Sequence, residues 1–90
     1  MSTPNKTAWP QAVIDHFVRE AQHGGSGREK NIGGGNTSVE LTIFAVDLVD
    51  SVGAVAATAF SAYVGGTARI VLNALGKPIG WKFSRRKHHI

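Results

Sequence analysis

Ninety residues with 42% hydrophobic content and no cysteine allow one small domain at most, and they exclude disulfide staples and thiolate metal sites. The net charge is +4, unevenly spread: Lys77, Lys82, Arg85, Arg86 and Lys87 fall in the last fourteen positions, which hold no acid. The remainder sets five cations against six acids and is close to neutral, so the cationic end reads as an electrostatic footprint for phosphate, in lipid headgroups or nucleic acid.

Met1 to Lys6 is polar and reads as frayed. Lys6 leads into Trp9-Pro10-Gln11 rather than a continuous apolar run, so no signal peptide is expected. Thr7 is placed to cap a helix whose first turn accepts Pro10, because proline there gives up no intrahelical hydrogen bond. Val13, Ile14, Phe17, Val18 and Ala21 repeat at three-and-four spacing, with Trp9 extending the stripe and Asp15–Arg19 forming an i,i+4 pair on the other side. Residues 1–23 therefore predict a short amphipathic helix, ended by His23-Gly24-Gly25.

Residues 24–36 hold six glycines around Arg28, Glu29 and Lys30 and read as a flexible, Gly-rich linker. A phosphate-cradling loop is not supported, since no Gly-Lys-Ser/Thr follows. Thr37-Ser38-Val39-Glu40 fits a capping box, and Gly76 followed by Pro78 fits a helix stop. Val39, Leu41 and Ile43 alternate with polar neighbours as a strand does, but the alternation ends at Phe44-Ala45-Val46 and the alanine-rich run beyond favours helix. The expectation is one long apolar helix over residues 37–76, bent at Gly65-Gly66, and a basic aromatic tail over 77–90. The predicted fold class is thus all-α. Uninterrupted, the helix would run roughly 55 Å at ~1.5 Å per residue, beyond the ~30 Å core of a bilayer.

Two rows of small residues run along that helix at four-residue spacing: Gly53, Ala57, Ser61 and Gly65, and beside them Ala54, Thr58, Ala62 and Gly66. Small residues in such rows let helices approach closely, in lipid above all. Ser51 to Ala68 is eighteen residues without a charge, the lower limit for a membrane span. Trp81 lies among Lys77, Lys82, Arg85, Arg86 and Lys87, an arrangement suited to an interface with anionic lipid or to nucleic acid. From Glu40 to Lys87 the order of acidic shoulder, small-residue apolar helix and basic end resembles that of filamentous-phage coat subunits. The resemblance lies in charge order without a shared motif, and it implies an apolar helix packed in a sheath with its basic end facing DNA.

No enzyme signature emerges. Asp47 and Asp50 stand one helical turn apart and read as markers of the helix entrance, and Arg69 is expected to snorkel to the interface rather than pair with an Asp of a neighbouring subunit. His16, His23, His88 and His89 lack the spacing of a zinc site, so no metal or cofactor is expected. The expected function is a self-assembling helical structural subunit, inserted in a membrane or packed in a virion or filament. Its partners would be copies of itself and anionic lipid or nucleic acid, and its basic C-terminus would be cytoplasmic or nucleic-acid-facing. The alternatives are a holin-like or bacteriocin-like membrane-permeabilising protein and a soluble basic helical nucleic-acid-binding protein.

Overall fold

A computed structural model describes residues 9–24 and 27–86. Thr7, Lys87, His88 and His89, all singled out in the sequence, lie outside the described residues. The chain folds as α1 (Gln11–His23), β1 (Arg28–Gly33), β2 (Asn36–Thr42), α2 (Ala45–Val52), α3 (Ala54–Ala57), a 3-10 segment (Thr58–Tyr63), β3 (Thr67–Leu72) and β4 (Pro78–Ser84). The four strands form one antiparallel sheet in the order β1-β2-β3-β4. The fold is α+β, not all-α.

The amphipathic stretch is α1. The Pro10 carbonyl accepts the N–H groups of Val13 and Ile14 at 3.0 and 3.2 Å, and Val13, Ile14, Phe17 and Ala21 are buried. Gly24 ends the helix at φ 62° and donates its N–H to Ala21. The expected Gly-rich linker contains β1 and a tight turn instead. Gly33, Gly34 and Gly35 all take positive φ (95°, 65° and 79°), conformations costly for side-chain-bearing residues, and this run lets β1 fold straight back onto β2.

The long helix over residues 37–76 does not form. Its expected capping box, Thr37 to Glu40, is part of β2, where Val39 and Leu41 turn inward and Glu40 outward. Only Ala45–Val52 continues as a regular helix of two turns. Asp47 starts it, its Oδ2 accepting the Phe44 N–H at 2.8 Å, and Gly53 at φ 88° interrupts it. After the short α3 and the 3-10 segment, Gly65-Gly66 makes a turn rather than a bend. The Gly65 N–H donates to the Ile43 carbonyl at 2.7 Å and the Ile43 N–H to the Gly66 carbonyl at 3.0 Å, which docks the start of β3 beside the end of β2. β3 then alternates cleanly, with Ala68, Ile70 and Leu72 buried. Pairing with strands on both sides overrides the helical preference of the run, because a strand's preference is largely its packing environment. The expected tail over 77–90 begins with β4.

One side of the sheet carries the core. Val39, Leu41, Ala68, Ile70 and Leu72 meet Val13, Phe17, Ala21, Ile43, Leu48, Ala57 and Tyr63. Trp9 closes the end of this layer, its ring 4.6 Å from Phe60, 4.7 Å from Tyr63 and 4.3 Å from Phe83.

These elements correct the expected localisation. Among the described residues no helix is long and apolar enough to cross a membrane. The uncharged run from Ser51 to Ala68 is divided among the end of α2, α3, the 3-10 segment, a turn and the start of β3. The membrane-inserted and permeabilising readings lose their helix, and so does the sheath packing implied by the resemblance to coat subunits. A purely helical nucleic-acid-binding protein is overturned by the sheet.

Candidate functional site: the open face of the sheet

Strand alternation sends every second residue to the side opposite the helices, and the register aligns those residues into rows. Arg28 faces Glu40, Glu40 faces Arg69, and Arg69 faces Lys82, so one row crosses all four strands. Beside it runs a hydroxyl row of Thr42, Thr67 and Ser84. On the other flank Lys30 faces Ser38, Ser38 faces Val71, and Val71 faces Gly80. Arg28, Lys30, Arg69, Lys82 and Ser84 are exposed, and among the described residues no helix covers this side.

The row is ordered from within. Arg69 Nη2 donates to Glu40 Oε2 at 3.0 Å, with the two side chains 53% and 37% exposed. Glu40 is the single acid in a row otherwise cationic, and it sits between Arg28 and Arg69. At one corner the face deepens into a cleft of about 580 Å³ lined by Gly65, Gly66, Thr67, Arg69, Lys82, Ser84, Arg85, Arg86 and Glu40. Arg86 is tied there by its own backbone, its N–H donating to the Ala62 carbonyl at 3.2 Å, and by Nη1 donating to the Val64 carbonyl at 3.3 Å.

Of the residues singled out for phosphate or lipid contact, Lys82 and Arg86 come together at this corner. Arg85 also lines the cleft, while its guanidinium stands 5.9 Å over the Tyr63 ring. Trp81 is opposite Ile70 on the helix side of β4, away from Lys82. Lys77 is in the β3–β4 turn, where its N–H donates to Asn73 Oδ1 at 3.0 Å. The small-residue rows are dispersed. Gly53 separates α2 from α3, Ala54 and Ala57 belong to α3, Thr58, Ser61 and Ala62 to the 3-10 segment, and Gly65 and Gly66 to the turn before β3. Arg28, Lys30, Thr67 and Ser84 have no place in the sequence-based set; the two-residue spacing of Arg28 and Lys30 is the signal that marks them as one face of a strand.

A second polar cluster joins the helices. His16 Nε2 lies 2.9 Å from Asp47 Oδ1, both side chains 19% exposed, and Ser51 Oγ donates to the Asp47 carbonyl at 2.7 Å. Asp47 thus ties α1 to α2 while starting α2, two structural tasks for one carboxylate. Among the described residues no group of three or more His, Asp or Glu side chains is placed to hold a metal ion. No protein family, curated protein or solved structure matches this chain.

Proposed function

We propose that the chain is a non-catalytic binding module that takes duplex nucleic acid on the open face of its sheet. The observation that carries this is the cross-strand row Arg28–Glu40–Arg69–Lys82. With strands ~4.8 Å apart, its outer cations stand about 14 Å apart at backbone level, comparable with the ~12 Å width of the B-form major groove. Cations so spaced reach phosphates on both sides of a groove, the contacts that fix a protein's register on a duplex.

The makeup of the face favours a duplex over other polyanions. Single-stranded nucleic acid is held by aromatic stacking, and the residues that register places on this face include no aromatic ring. Anionic membrane surfaces are gripped by apolar side chains sunk below the headgroups, and here the apolar contribution is Ile32 and Val71.

Fluorescence anisotropy of the full chain against a labelled B-form duplex, over a salt series, tests the proposal. The expected result is a linear fall of log K with log salt whose slope corresponds to roughly three to five phosphate contacts. Arg28→Ala and Lys82→Ala should each reduce the slope by about one. Affinity unchanged in both variants, or tighter binding to a single strand of the same sequence, overturns it.

Self-association is favoured by a separate observation on the helix side. Val46 and Val49, three residues apart on α2, are 59% and 41% exposed, and neighbouring apolar side chains left in water mark partner surfaces. Sedimentation velocity across a concentration series, with Val46→Asp as the control, reads this directly. A concentration-independent monomer removes it.

A further inference from the structure

The corner cleft differs from the rest of the open face in charge density and in how firmly its cations are held. Its lining sets three cations, Arg69, Lys82 and Arg86, against the single acid Glu40, and Arg85 adds its backbone and stem while its guanidinium stands over Tyr63. Thr67 and Ser84 face each other on its floor, two hydroxyls able to donate to the same oxygen-rich ligand. Beside them the Arg69–Lys82 pair supplies charge, and Arg69 is steadied by Glu40 at 3.0 Å.

The wall of the cleft is built to hold Arg86. A Cβ at Gly65 would lie 3.3 Å from Arg86 Cδ, so the bare backbone gives the arginine stem its bed. A Cβ at Gly66 would collide with the Ser84 carbonyl oxygen, and the bare backbone there lets β4 exit directly against the turn. With one guanidinium N–H spent on the Val64 carbonyl, Arg86 keeps its remaining donors for a ligand.

We propose that this cleft seats a phosphate monoester dianion, such as the terminal phosphate of a nucleic-acid strand lying on the sheet. A phosphodiester carries one negative charge, which a single arginine of the open row satisfies. With Arg85 turned to the Tyr63 ring, Arg69, Lys82 and Arg86 against Glu40 leave a net excess of two cations, which matches a group bearing nearly two charges and three acceptor oxygens. The strand end as the source of that phosphate rests on the proposed duplex binding; the affinity of the cleft for a free monoester or pyrophosphate does not.

Two measurements on the full chain separate those dependencies. In the first, an internally labelled duplex is prepared with 5′-phosphates, with 3′-phosphates or with neither, and titrated at fixed ionic strength. One of the phosphorylated forms should bind about tenfold more tightly than the hydroxyl-ended duplex, the gain of one charge-assisted contact set. Arg86→Ala and Lys82→Ala should abolish that difference, and Lys30→Ala should weaken all three duplexes while preserving it. In the second, pyrophosphate is titrated by calorimetry against a chloride-matched blank, and binding should saturate in the native chain and vanish in Arg86→Ala. Circular dichroism establishes that each variant is folded.

Equal affinity for all three duplex ends, with pyrophosphate also unbound, overturns the seat and leaves the duplex face standing. Loss of duplex binding with pyrophosphate retained removes the face and assigns the cleft to free phosphate compounds. Pyrophosphate binding that survives both Arg86→Ala and Lys82→Ala places the phosphate elsewhere and overturns the seat as well.

Discussion

Glu40 and Arg69 stand directly opposite each other on β2 and β3, with Arg69 Nη2 donating to Glu40 Oε2 at 3.0 Å. The pair is half-exposed, so its contribution to stability is small, about 0.2–1 kcal/mol. Its larger consequence is electrostatic, because Glu40 subtracts a charge at the centre of a cationic row. Glu40→Gln should therefore leave the denaturation midpoint nearly unchanged and raise duplex affinity by about three- to tenfold at low salt. Weaker binding in that variant would mean that Glu40 serves the complex by holding Arg69 in position.

Gly66 and Gly53 separate two reasons for glycine. At Gly66 an added Cβ would collide with the Ser84 carbonyl oxygen and crowd the Arg86 backbone nitrogen, both backbone atoms of the neighbouring segment. Gly66→Ala must push β4 away from the turn, and the expected loss is about 2–4 kcal/mol. At Gly53 the space is open and the cost comes from φ 88° alone, so Gly53→Ala should lose about 1–2 kcal/mol. Urea denaturation of the two variants gives the order. Equal losses would show that the chain leaving β4 accommodates a methyl group at Gly66.

Much of the sheet is visible in local pattern once its partners are known. The inward residues of β2 and β3, Val39 and Leu41, then Ala68, Ile70 and Leu72, alternate as half-buried strands do. α1 is legible because its whole apolar stripe lies within thirteen residues. The misassigned parts are residues 37–42 and 67–72, expected as the two ends of one long helix and found as β2 and β3; between them the small-residue run of residues 45–63 is helical only in short pieces, broken at Gly53 and closed by the Gly65-Gly66 turn. β1 carries no burial alternation, being exposed throughout, so the two-residue spacing of Arg28 and Lys30 is all that sets it apart from a linker. The open face is the least legible feature, since Arg28, Arg69 and Lys82 become neighbours only through register.

The His16–Asp47 contact and the Phe44 N–H both depend on the Asp47 carboxylate. Asp47→Ala should cost about 2–3 kcal/mol, the sum of a helix start and a partly buried side-chain hydrogen bond. His16→Ala removes one of these and should cost about 1 kcal/mol. In a double-mutant cycle by denaturant unfolding the two should couple by about 0.5–1.5 kcal/mol. Strict additivity would show that the histidine contact contributes nothing in solution.

Trp9 lies before the first helical residue yet meets three rings, Phe60, Tyr63 and Phe83, from the 3-10 segment and β4. Its ring therefore joins the start of the described chain to its last strand, and α1 is braced against the sheet at its N-terminal end. Trp9→Ala should lose about 3 kcal/mol through the emptied space and the lost ring contacts. Trp9→Phe, which keeps a ring in place, should recover most of it. Because Phe83 neighbours Lys82 and Ser84 on β4, loosening the cluster should also lower duplex affinity, though every cation of the open face is intact. Near-ultraviolet circular dichroism and the anisotropy titration on the same samples distinguish the cases. A variant that unfolds earlier but binds the duplex as tightly as the native chain would show that the open face keeps its shape without this brace.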